Sequence, residues 1–320
     1  MNINLFTPTG YYKKYKEEGI PVDYSFSIKT SELSAEDWCN VFDVKPIESI
    51  GILIERVISF LKEGKTDYSI QTIIDTIKED TRTNNEIKNA AENRFMAADK
   101  WGLFSEEGTE IKDLILAGEV SVLDVSCYED WNVKCLVVSL IAKKLLEERI
   151  LLRKTEEIKS IEVRERFFIG EEESEIEKMP LVWIMIDEAH EFLPKEGKTP
   201  ATDALVMLLR EGRQPGISLV LATQQPGEIH QDVLTQSDIV ISHRLTSRID
   251  IEALNNMMQT YLITDIQTYL NQLPTLKGSA IILDDNSERI YPMRIHPKRS
   301  WHGGEAPSAI KEKRKLELEF

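Results

Sequence analysis

The sequence predicts an α/β protein built on a doubly wound, mostly parallel β-sheet. Six short apolar segments have the length of buried strands, and segments with apolar residues at helical spacing separate most of them. Strands that are apolar on both faces need helices on both sides of the sheet, as in parallel sheets. The predicted strands are, in chain order, NINLFT, VSVLDVS, VWIMID, ISLVLAT, DIVISHRL and SAIILDD.

Two segments between these strands predict long helices, and one segment near the end predicts a hairpin. IESIGILIERVISFLKEG has helical spacing and ends at Gly64, a residue favoured as a C-terminal cap. VKCLVVSLIAKKLLEERILLRK predicts a long and strongly apolar helix. SAIILDDNSERIYPMRI predicts two strands around the turn residues Asp285, Asn286 and Ser287, which is a late β-hairpin.

The order of these patterns predicts a core interrupted by a helical insertion. Residues 45–118 contain several helical patterns and no clear strand, so we expect a helical insertion there. The α/β core is then formed by residues 1–44 and 119–300, and residues 301–320 form a C-terminal tail.

Composition and length exclude several classes of protein. The net charge of −16 argues against a surface that binds nucleic acid over its whole extent, although a local basic loop is compatible with it. The apolar runs are far shorter than the roughly 20 residues of a membrane span. The start, MNINLFTPTG, has neither the basic beginning nor the apolar centre of a signal peptide. We therefore expect a cytoplasmic protein without a membrane partner.

The spacing of the cysteines and histidines does not predict a metal site. The three cysteines form no CxxC pair, so we expect buried or half-buried thiols rather than disulfides or zinc ligands. The five histidines show no metal-ligand spacing either.

Two adjacent carboxylates follow a buried strand in the segment LVWIMIDEAHEFLP. Ligands of open α/β sheets bind at the carboxyl ends of the strands, where Asp187 and Glu188 are expected. In a nucleotide-hydrolysing site the aspartate holds Mg²⁺ through water and the glutamate orients or deprotonates the attacking water. The structural alternative is that Asp187 caps a helix that begins in EAHEFL.

The next predicted strand ends in polar residues at the same edge. Thr223 and Gln224 follow ISLVLA, and a glutamine there can donate to a γ-phosphate oxygen and accept from the lytic water. We therefore expect both residues to contact the nucleotide. In LLREGRQPG, Arg210 and Arg213 follow a helix and are candidates for arginine fingers that reach a neighbouring site. The alternative is a basic helix end that interacts with the helix dipole.

Taken together, these residues resemble the HerA/FtsK branch of ring-forming DNA-translocating ATPases, and specifically its archaeal and bacterial HerA-type proteins. The resemblance spans most of the chain. The segments that carry it are NRFMAADKWGLF, AGEVSVLDVS, WIMIDEAHEFLP, LREGRQPGISLVLATQQPGEIHQDVLTQSDIVISHRL and RIHPKRSWHGGE.

The resemblance implies roles for the site residues. Asp187 and Glu188 would form the Walker B pair, Gln224 the polar sensor, and Arg213 the first candidate for a finger acting in trans, with Arg210 second. It also implies a RecA-like core, ATP with Mg²⁺ as cofactors, a homohexameric ring, DNA in the central channel and often a nuclease partner for DNA repair or end processing.

One element of the family pattern is absent from the sequence. A phosphate-binding loop, GxxxxGK(S/T), supplies backbone donors and a lysine for the β- and γ-phosphates. GKT occurs at residues 64–66 and 197–199, but Ser59 and Phe192 stand at the first glycine position. In the resembling family the loop lies before the strand that reads NINLFT here. We therefore expect a chain that corresponds to the family without its N-terminal part, and that hydrolyses ATP poorly or not at all by itself.

Two other functions fit parts of the sequence. A DEAH-box helicase is suggested by the letters of residues 187–190, but it needs its own phosphate loop and a second RecA-like domain, and about 130 residues after the box leave little room for them. A non-catalytic or split assembly subunit would keep the ring fold and lend Arg213 to a partner. A reading frame with a phosphate loop immediately upstream would favour the split or truncated ATPase over the non-catalytic subunit.

Overall fold

A computed structural model of the chain describes residues 2–64, 67–167, 179–258, 266–285, 287 and 289–297. The described residues are helices and short strands, so the α/β class is confirmed. The chain divides into two compact units, Met1–Gln236 and Ser237–Phe320. The predicted division into a core, an insertion at 45–118 and a tail stays a prediction, and the tail lies outside the described residues.

The first unit contains seven strands and nine helices among its described residues. The strands are β1 (Ile3–Pro8), β2 (Tyr24–Phe26), β3 (Ile28–Lys29), β4 (Phe104–Ser105), β5 (Val120–Leu123), β6 (Val182–Ile186) and β7 (Ile217–Leu221). The helices are α1 (Thr9–Glu17), α2 (Ala35–Val41), α3 (Ser49–Gly64), α4 (Ile70–Glu79), α5 (Asn85–Asp99), α6 (Ile111–Leu114), α7 (Trp131–Phe167), α8 (Thr202–Glu211) and α9 (Gln231–Gln236).

All strand pairs in the first unit are parallel. One sheet has the order β2-β1-β5, and β3 pairs with β4. β6 pairs with β7, and Ile186 lies opposite Leu221 at the carboxyl end of the pair. The four strands predicted for this part of the chain are confirmed as β1, β5, β6 and β7. The predicted long helices are confirmed as α3 and α7.

One large hydrophobic core joins the strands and helices of the first unit. The described residues of the segment 45–118 form helices α3 to α6, with the two-residue strand β4 between α5 and α6. β4 is too short to produce a periodic pattern in the sequence. Arg149 of α7 is buried, and its guanidinium donates to the carbonyl oxygens of Pro215 at 2.7 Å and Met179 at 3.1 Å. This arginine ties α7 to the residues that lead into β6 and β7.

The second unit contains an antiparallel sheet with a core of its own. Its elements are β8 (Ile239–His243), α10 (Arg248–Met258), α11 (Ile266–Gln272), β9 (Ser279–Asp284) and β10 (Arg289–Arg294). The sheet order is β10-β9-β8. Asp284 lies opposite Arg289, so the predicted late hairpin is confirmed. β8 is antiparallel to β9, a direction that an apolar strand pattern does not specify.

The described helices include none that is long and apolar enough to span a bilayer.

Candidate active site

The ends of β6 and β7 bring the predicted site residues together. The amide of Ala222 donates to the carbonyl of Ile186 at 2.9 Å, and the amide of Ala189 donates to the carbonyl of Ala222 at 2.8 Å. These bonds extend the ladder beyond the strands, so the segment 187–188 lies beside the segment 223–224. The expected meeting of polar residues at one sheet edge is what the structure shows.

Glu188 has an unusual backbone conformation. Its φ of 48° and ψ of 46° place it in the left-handed region, which is uncommon for residues other than glycine. Such a conformation costs on the order of 1–3 kcal/mol and is concentrated at functional sites. The Glu188 amide donates to Oδ1 of Asp187 at 3.0 Å. The short 3₁₀ turn that follows, Ala189–Glu191, has no side-chain cap bond, so Asp187 does not cap it.

The side chains of Glu188 and Gln224 are in direct contact. Nε2 of Gln224 donates to Oε1 of Glu188 at 2.5 Å. The other carboxylate oxygen, Oε2, is buried and has no hydrogen-bond partner in the part of the chain that the structure describes. A buried oxygen of a carboxylate without a donor is costly, and it marks a place where a water or another donor fits. Gln224 therefore occupies one carboxylate oxygen of Glu188, and the other is left without a donor among the described residues.

His190 belongs to the same cluster, although its spacing in the sequence gave no indication of a site. Its Nδ1 lies 2.9 Å from Oγ1 of Thr223 and 3.6 Å from Oε2 of Glu188. Its Nε2 lies 3.4 Å from Nε2 of Gln225. The His190 side chain is only 11% exposed. Thr223, which we expect to contact the nucleotide, is therefore hydrogen-bonded to the imidazole of His190. The sequence showed only that His190 lies two residues after Glu188, and this closeness was the one feature that linked the histidine to the site.

The two candidate arginines have different surroundings. The guanidinium of Arg210 donates to Oδ2 of Asp232 at 2.7 Å, so it pairs within its own subunit. Arg213 lies two residues after the end of α8 and is exposed. Within the described ranges its side chain has no hydrogen bond or ion pair. No such bond joins either arginine to Asp187 or Glu188 in those ranges.

The carboxylates fit the ligand set of a magnesium site that is shared with a nucleotide. Magnesium in such sites takes one or two carboxylates, and phosphate oxygens and waters complete the octahedron. Asp187 is exposed at the sheet edge and can hold the ion directly or through water. In the described part of the chain there is no cluster of three or more histidine, cysteine, aspartate or glutamate side chains for a metal held by protein alone.

The first half of the chain has relatives in a known family. Residues 2–145 match the family model described as "Helicase HerA, central domain". The "Probable DNA double-strand break repair helicase HerA" of Methanocaldococcus jannaschii is 27% identical over 177 residues, which cover 52% of this chain and 35% of the relative. Residues 2–145, just under half of the chain, are thus similar to the central domain of HerA-type ATPases. The resemblance stated from the sequence motifs is thereby confirmed.

Further similarities extend over more of the chain. The "DNA double-strand break repair helicase HerA" of Sulfurisphaera tokodaii is 24% identical over 215 residues, which cover 66% of this chain and 38% of that HerA. The matches therefore span well under half the length of both HerA relatives. The solved structure of VirB4 of Thermoanaerobacter pseudethanolicus has a TM-score of 0.50 at 11% identity, and the match covers 93% of this chain and 82% of VirB4. This likeness shows a shared RecA-like fold.

Proposed function

We propose that this chain contributes the water-activating half of an ATP-hydrolysing site in a HerA-type DNA translocase. The observation that carries the proposal is the bond of 2.5 Å between Gln224 and Glu188, which joins the ends of the two neighbouring strands β6 and β7. A carboxylate and an amide at one sheet edge are the groups that position water for attack on a γ-phosphate. The HerA relatives and the family model support the translocase class.

Each residue has a separate task in this proposal. Bound Mg²⁺ would neutralise charge on the β- and γ-phosphates, and Asp187 is the residue that would hold it. Glu188 accepts the proton of the attacking water. Gln224 must release Oε1 of Glu188 before the water binds there, and its amide is then free to contact the γ-phosphate. Thr223 contributes a hydroxyl beside the nucleotide, oriented by His190.

The same proposal includes the assembly. We place Arg213 at the interface with a neighbouring subunit, because its side chain is exposed and because only strand β7 separates it from Gln224 in the chain. A guanidinium there would stabilise the transferring phosphoryl group of the adjacent nucleotide. Arg210 is the weaker candidate because it is paired with Asp232. DNA in the central channel of a homohexamer and a nuclease partner complete the proposed assembly.

The role of Glu188 is tested by the variant Glu188→Gln in a complete assembly, meaning this chain together with whatever segment supplies the phosphate loop. We expect nucleotide binding to be retained and hydrolysis to fall by about 10²-fold or more, the scale of a general base. Binding is measured by titration with ATP in Mg²⁺, and turnover by phosphate release. Glu196→Gln, an exposed change in the following loop, is the matched control. Equal loss of binding and turnover would make Glu188 a structural residue.

A second function is favoured by two observations: Arg213 is exposed and its side chain has no hydrogen bond or ion pair to the residues that the structure describes, and the given sequence contains no phosphate loop. In this function the chain is a non-catalytic ring subunit that lends Arg213 to the active site of a neighbour. It predicts that Glu188→Gln leaves turnover of the assembly unchanged and that Arg213→Ala lowers it.

A further inference from the structure

A tight turn between helix α8 and strand β7 carries Arg213. We call residues 212–216 the Arg213 turn. The amide of Ile217 donates to the carbonyl of Gly212 at 2.8 Å, and the amide of Gly216 donates to the carbonyl of Arg213 at 3.2 Å. Gly216 has a φ of 83°, in the left-handed region that residues other than glycine rarely adopt. Gly212 is buried and Arg213 is exposed, so the turn has a buried base and an exposed tip.

Arg149 of helix α7 contacts the buried base of the Arg213 turn. Its Nε donates to the carbonyl of Pro215 at 2.7 Å, and its Nη1 donates to the carbonyl of Met179 at 3.1 Å. Nη1 also lies 3.8 Å from Oε1 of Glu156, and the arginine side chain is only 3% exposed. Burying a charged group is costly unless its donors are satisfied. The hydrogen bonds of the guanidinium therefore hold the turn, and the segment before β6, in a fixed position relative to α7.

The backbone of the Arg213 turn is fixed, whereas the side chain of Arg213 is not. The carbonyl of Gly216 accepts from the amide of Val182 at 3.1 Å. A Cβ on Gly216 would lie 3.2 Å from Nη2 of Arg149, so the turn and the guanidinium are in close contact. The exposed side chain of Arg213 has no hydrogen bond or ion pair within the described ranges. Its direction is therefore set by the backbone of the turn, and by the groups that hold that backbone.

We propose that Arg149 is a positioning residue for Arg213: it holds the Arg213 turn in the conformation that presents this arginine to the site of a neighbouring subunit. The inference rests on the proposed function, in which Arg213 acts on the neighbour's nucleotide. Arg149 acts only through the turn, because its own guanidinium is buried. A misplacement of about 1 Å of a group that stabilises the reacting atoms can cost on the order of 10²-fold in rate. A buried contact on the far side of the turn can thus control the reaction.

The arrangement requires an arginine at position 149. A guanidinium has donors at fixed angles, so one side chain serves the carbonyls of Pro215 and Met179 together. A lysine carries its donors on a single nitrogen at the end of a flexible chain. Arg149→Lys therefore keeps the charge but should hold the turn less well. Arg149→Met keeps much of the apolar packing and removes both hydrogen bonds.

The first test measures amide hydrogen exchange in the 320-residue chain by itself. The amides of Gly216 and Ile217 are the reporters, because they close the Arg213 turn. In Arg149→Met we expect exchange of both amides to become faster by about 10-fold or more, as in a local opening. The amide of Ala222, which is bonded beyond the other end of β7, should keep its rate. Arg149→Lys should give a smaller rise, and it replaces Arg149→Met if that variant does not fold.

Arg153→Met is the matched control for the exchange measurement. Arg153 lies on the same helix and pairs with Glu156 at 3.2 Å, but its side chain is 45% exposed. This change should leave exchange of Gly216 and Ile217 unaltered. The inference is overturned if the Arg149 variants leave both amides unaltered. It is also overturned if Ala222 accelerates equally, as it would in a chain that is loosened throughout.

The second test asks whether Arg149 and Arg213 serve the same step in the complete assembly. Arg149→Met should lower turnover by about 10²-fold and leave ATP binding unchanged. Mixed with Glu188→Gln chains, Arg149→Met chains should recover part of the activity, because they keep their own Glu188 and the other chains supply a correctly held Arg213. Mixed with Arg213→Ala chains they should recover none, because both parents lack the same contribution to a neighbour. Arg153→Met should keep full turnover.

Failure of the inference and failure of the proposed function give different results. If Arg213→Ala keeps full turnover, the proposed role of Arg213 in trans fails, and the inference fails with it. If Arg213→Ala loses turnover but Arg149→Met keeps it, only the inference about Arg149 is overturned. The same holds if mixtures of Arg149→Met and Glu188→Gln chains stay inactive in assemblies of normal size while mixtures of Arg213→Ala and Glu188→Gln chains recover activity.

Discussion

At the scale of single residues, the proposed function makes the contact between Glu188 and Gln224 the state of the site before nucleotide binds. Gln224 holds Oε1 of Glu188, and the left-handed backbone of Glu188 directs the carboxylate to the end of β7. A carboxylate that donates or accepts protons in catalysis must be able to reach its water. We therefore infer that nucleotide binding has to move Gln224 before hydrolysis, a rearrangement confined to one side chain.

The three thiols give a prediction that is independent of the nucleotide site. Burial raises the pKa of Cys39, Cys127 and Cys135 to about 11 in each case. The thiolate is the reactive form of a cysteine. Raising the pKa from 9.0 to about 11 lowers the fraction of thiolate at pH 8 by about 10²-fold. We expect all three to react slowly with a disulfide reagent at pH 8 in the folded protein and rapidly in guanidinium. Half-buried Cys127 should react first.

A thiol that reacts in the folded protein at the rate found in guanidinium would contradict this prediction. The same raised pKa values imply that stability falls as the pH rises above 9.0, because the unfolded thiols then lose protons that the folded ones retain.

The sequence predicted the neighbours of the active-site carboxylates but not all of their contacts. Apolar strands that end in Asp187 and in Thr223-Gln224 place these residues at one edge, since parallel strands end on the same side. His190 showed no metal-ligand spacing and was not predicted as a site residue. Its contact with Thr223 depends on how the turn after Glu188 folds back over the end of β7, and no sequence period reports such a turn.

At the scale of elements, close backbone packing fixes the start of α1. The amide of Gly10 donates to the carbonyl of Gly102 at 2.8 Å. A Cβ on Gly10 would lie 2.6 Å from the Cα of Gly102, an atom of the backbone that cannot move aside alone. Glycine at position 10 is therefore required for the approach of α1 to the loop after α5.

Gly10→Ala should lower the free energy of unfolding by about 1–3 kcal/mol, the usual cost of forcing a group into a packed site. Gly64→Ala is the matched control, because nothing lies within 4 Å of the Cβ it adds at the end of α3. The control should be neutral or stabilising by up to about 1 kcal/mol. Urea unfolding followed by circular dichroism measures both, and equal effects of the two changes would refute the packing argument.

Element types were easier to predict than strand directions and short strands. The runs that became β1, β5, β6, β7, β8 and β9 are long enough to show apolar patterns. β4 has two residues and cannot show a period. The sequence analysis included β8 among the strands of the mostly parallel sheet. Whether a strand is parallel or antiparallel depends on the strand with which it pairs, and β8 pairs with β9, the first strand of the hairpin. Local sequence specifies an apolar strand, not its pairing partner.

At the scale of the whole molecule, the proposed role of Arg213 in trans predicts that ATPase activity depends on contacts between subunits. If Arg213 acts on the nucleotide of a neighbour, Arg213→Ala chains and Glu188→Gln chains are each inactive in pure assemblies. A mixed ring contains interfaces that pair an intact Glu188 with a neighbour's intact Arg213. We therefore expect mixtures to recover part of the ATPase activity.

The mixing experiment needs a control for assembly and for the second arginine. Sizing by light scattering shows whether the variants still assemble. Arg210→Ala should lower activity less than Arg213→Ala, because Arg210 is paired with Asp232 of its own chain. Mixtures that stay as inactive as both parents, in assemblies of normal size, would show that Arg213 does not act across the interface.

The resemblance to HerA-type ATPases and the fold class followed from the motifs. NRFMAADKWGLF and AGEVSVLDVS lie within residues 2–145, which match the HerA central domain, whereas WIMIDEAHEFLP lies after them. The number of subunits and the DNA substrate depend on surfaces that local motifs do not describe. Trp183 and Met185, for example, belong to an apolar strand and were expected in the core, but their side chains are exposed by 66% and 72%.

The most direct test of the central claim is the rate of ATP hydrolysis by the purified 320-residue chain in Mg²⁺, measured for the chain alone and for a version restored with a phosphate-loop segment. The 320 residues contain no loop whose amides and lysine anchor the triphosphate, so we expect little or no turnover by the chain alone. With the loop restored we expect turnover at ordinary enzyme rates, on the order of 1–10³ per second, and its loss in Glu188→Gln. Turnover at such rates by the chain alone that Glu188→Gln abolishes would contradict the account, as would an active restored version in which Glu188→Gln changes nothing.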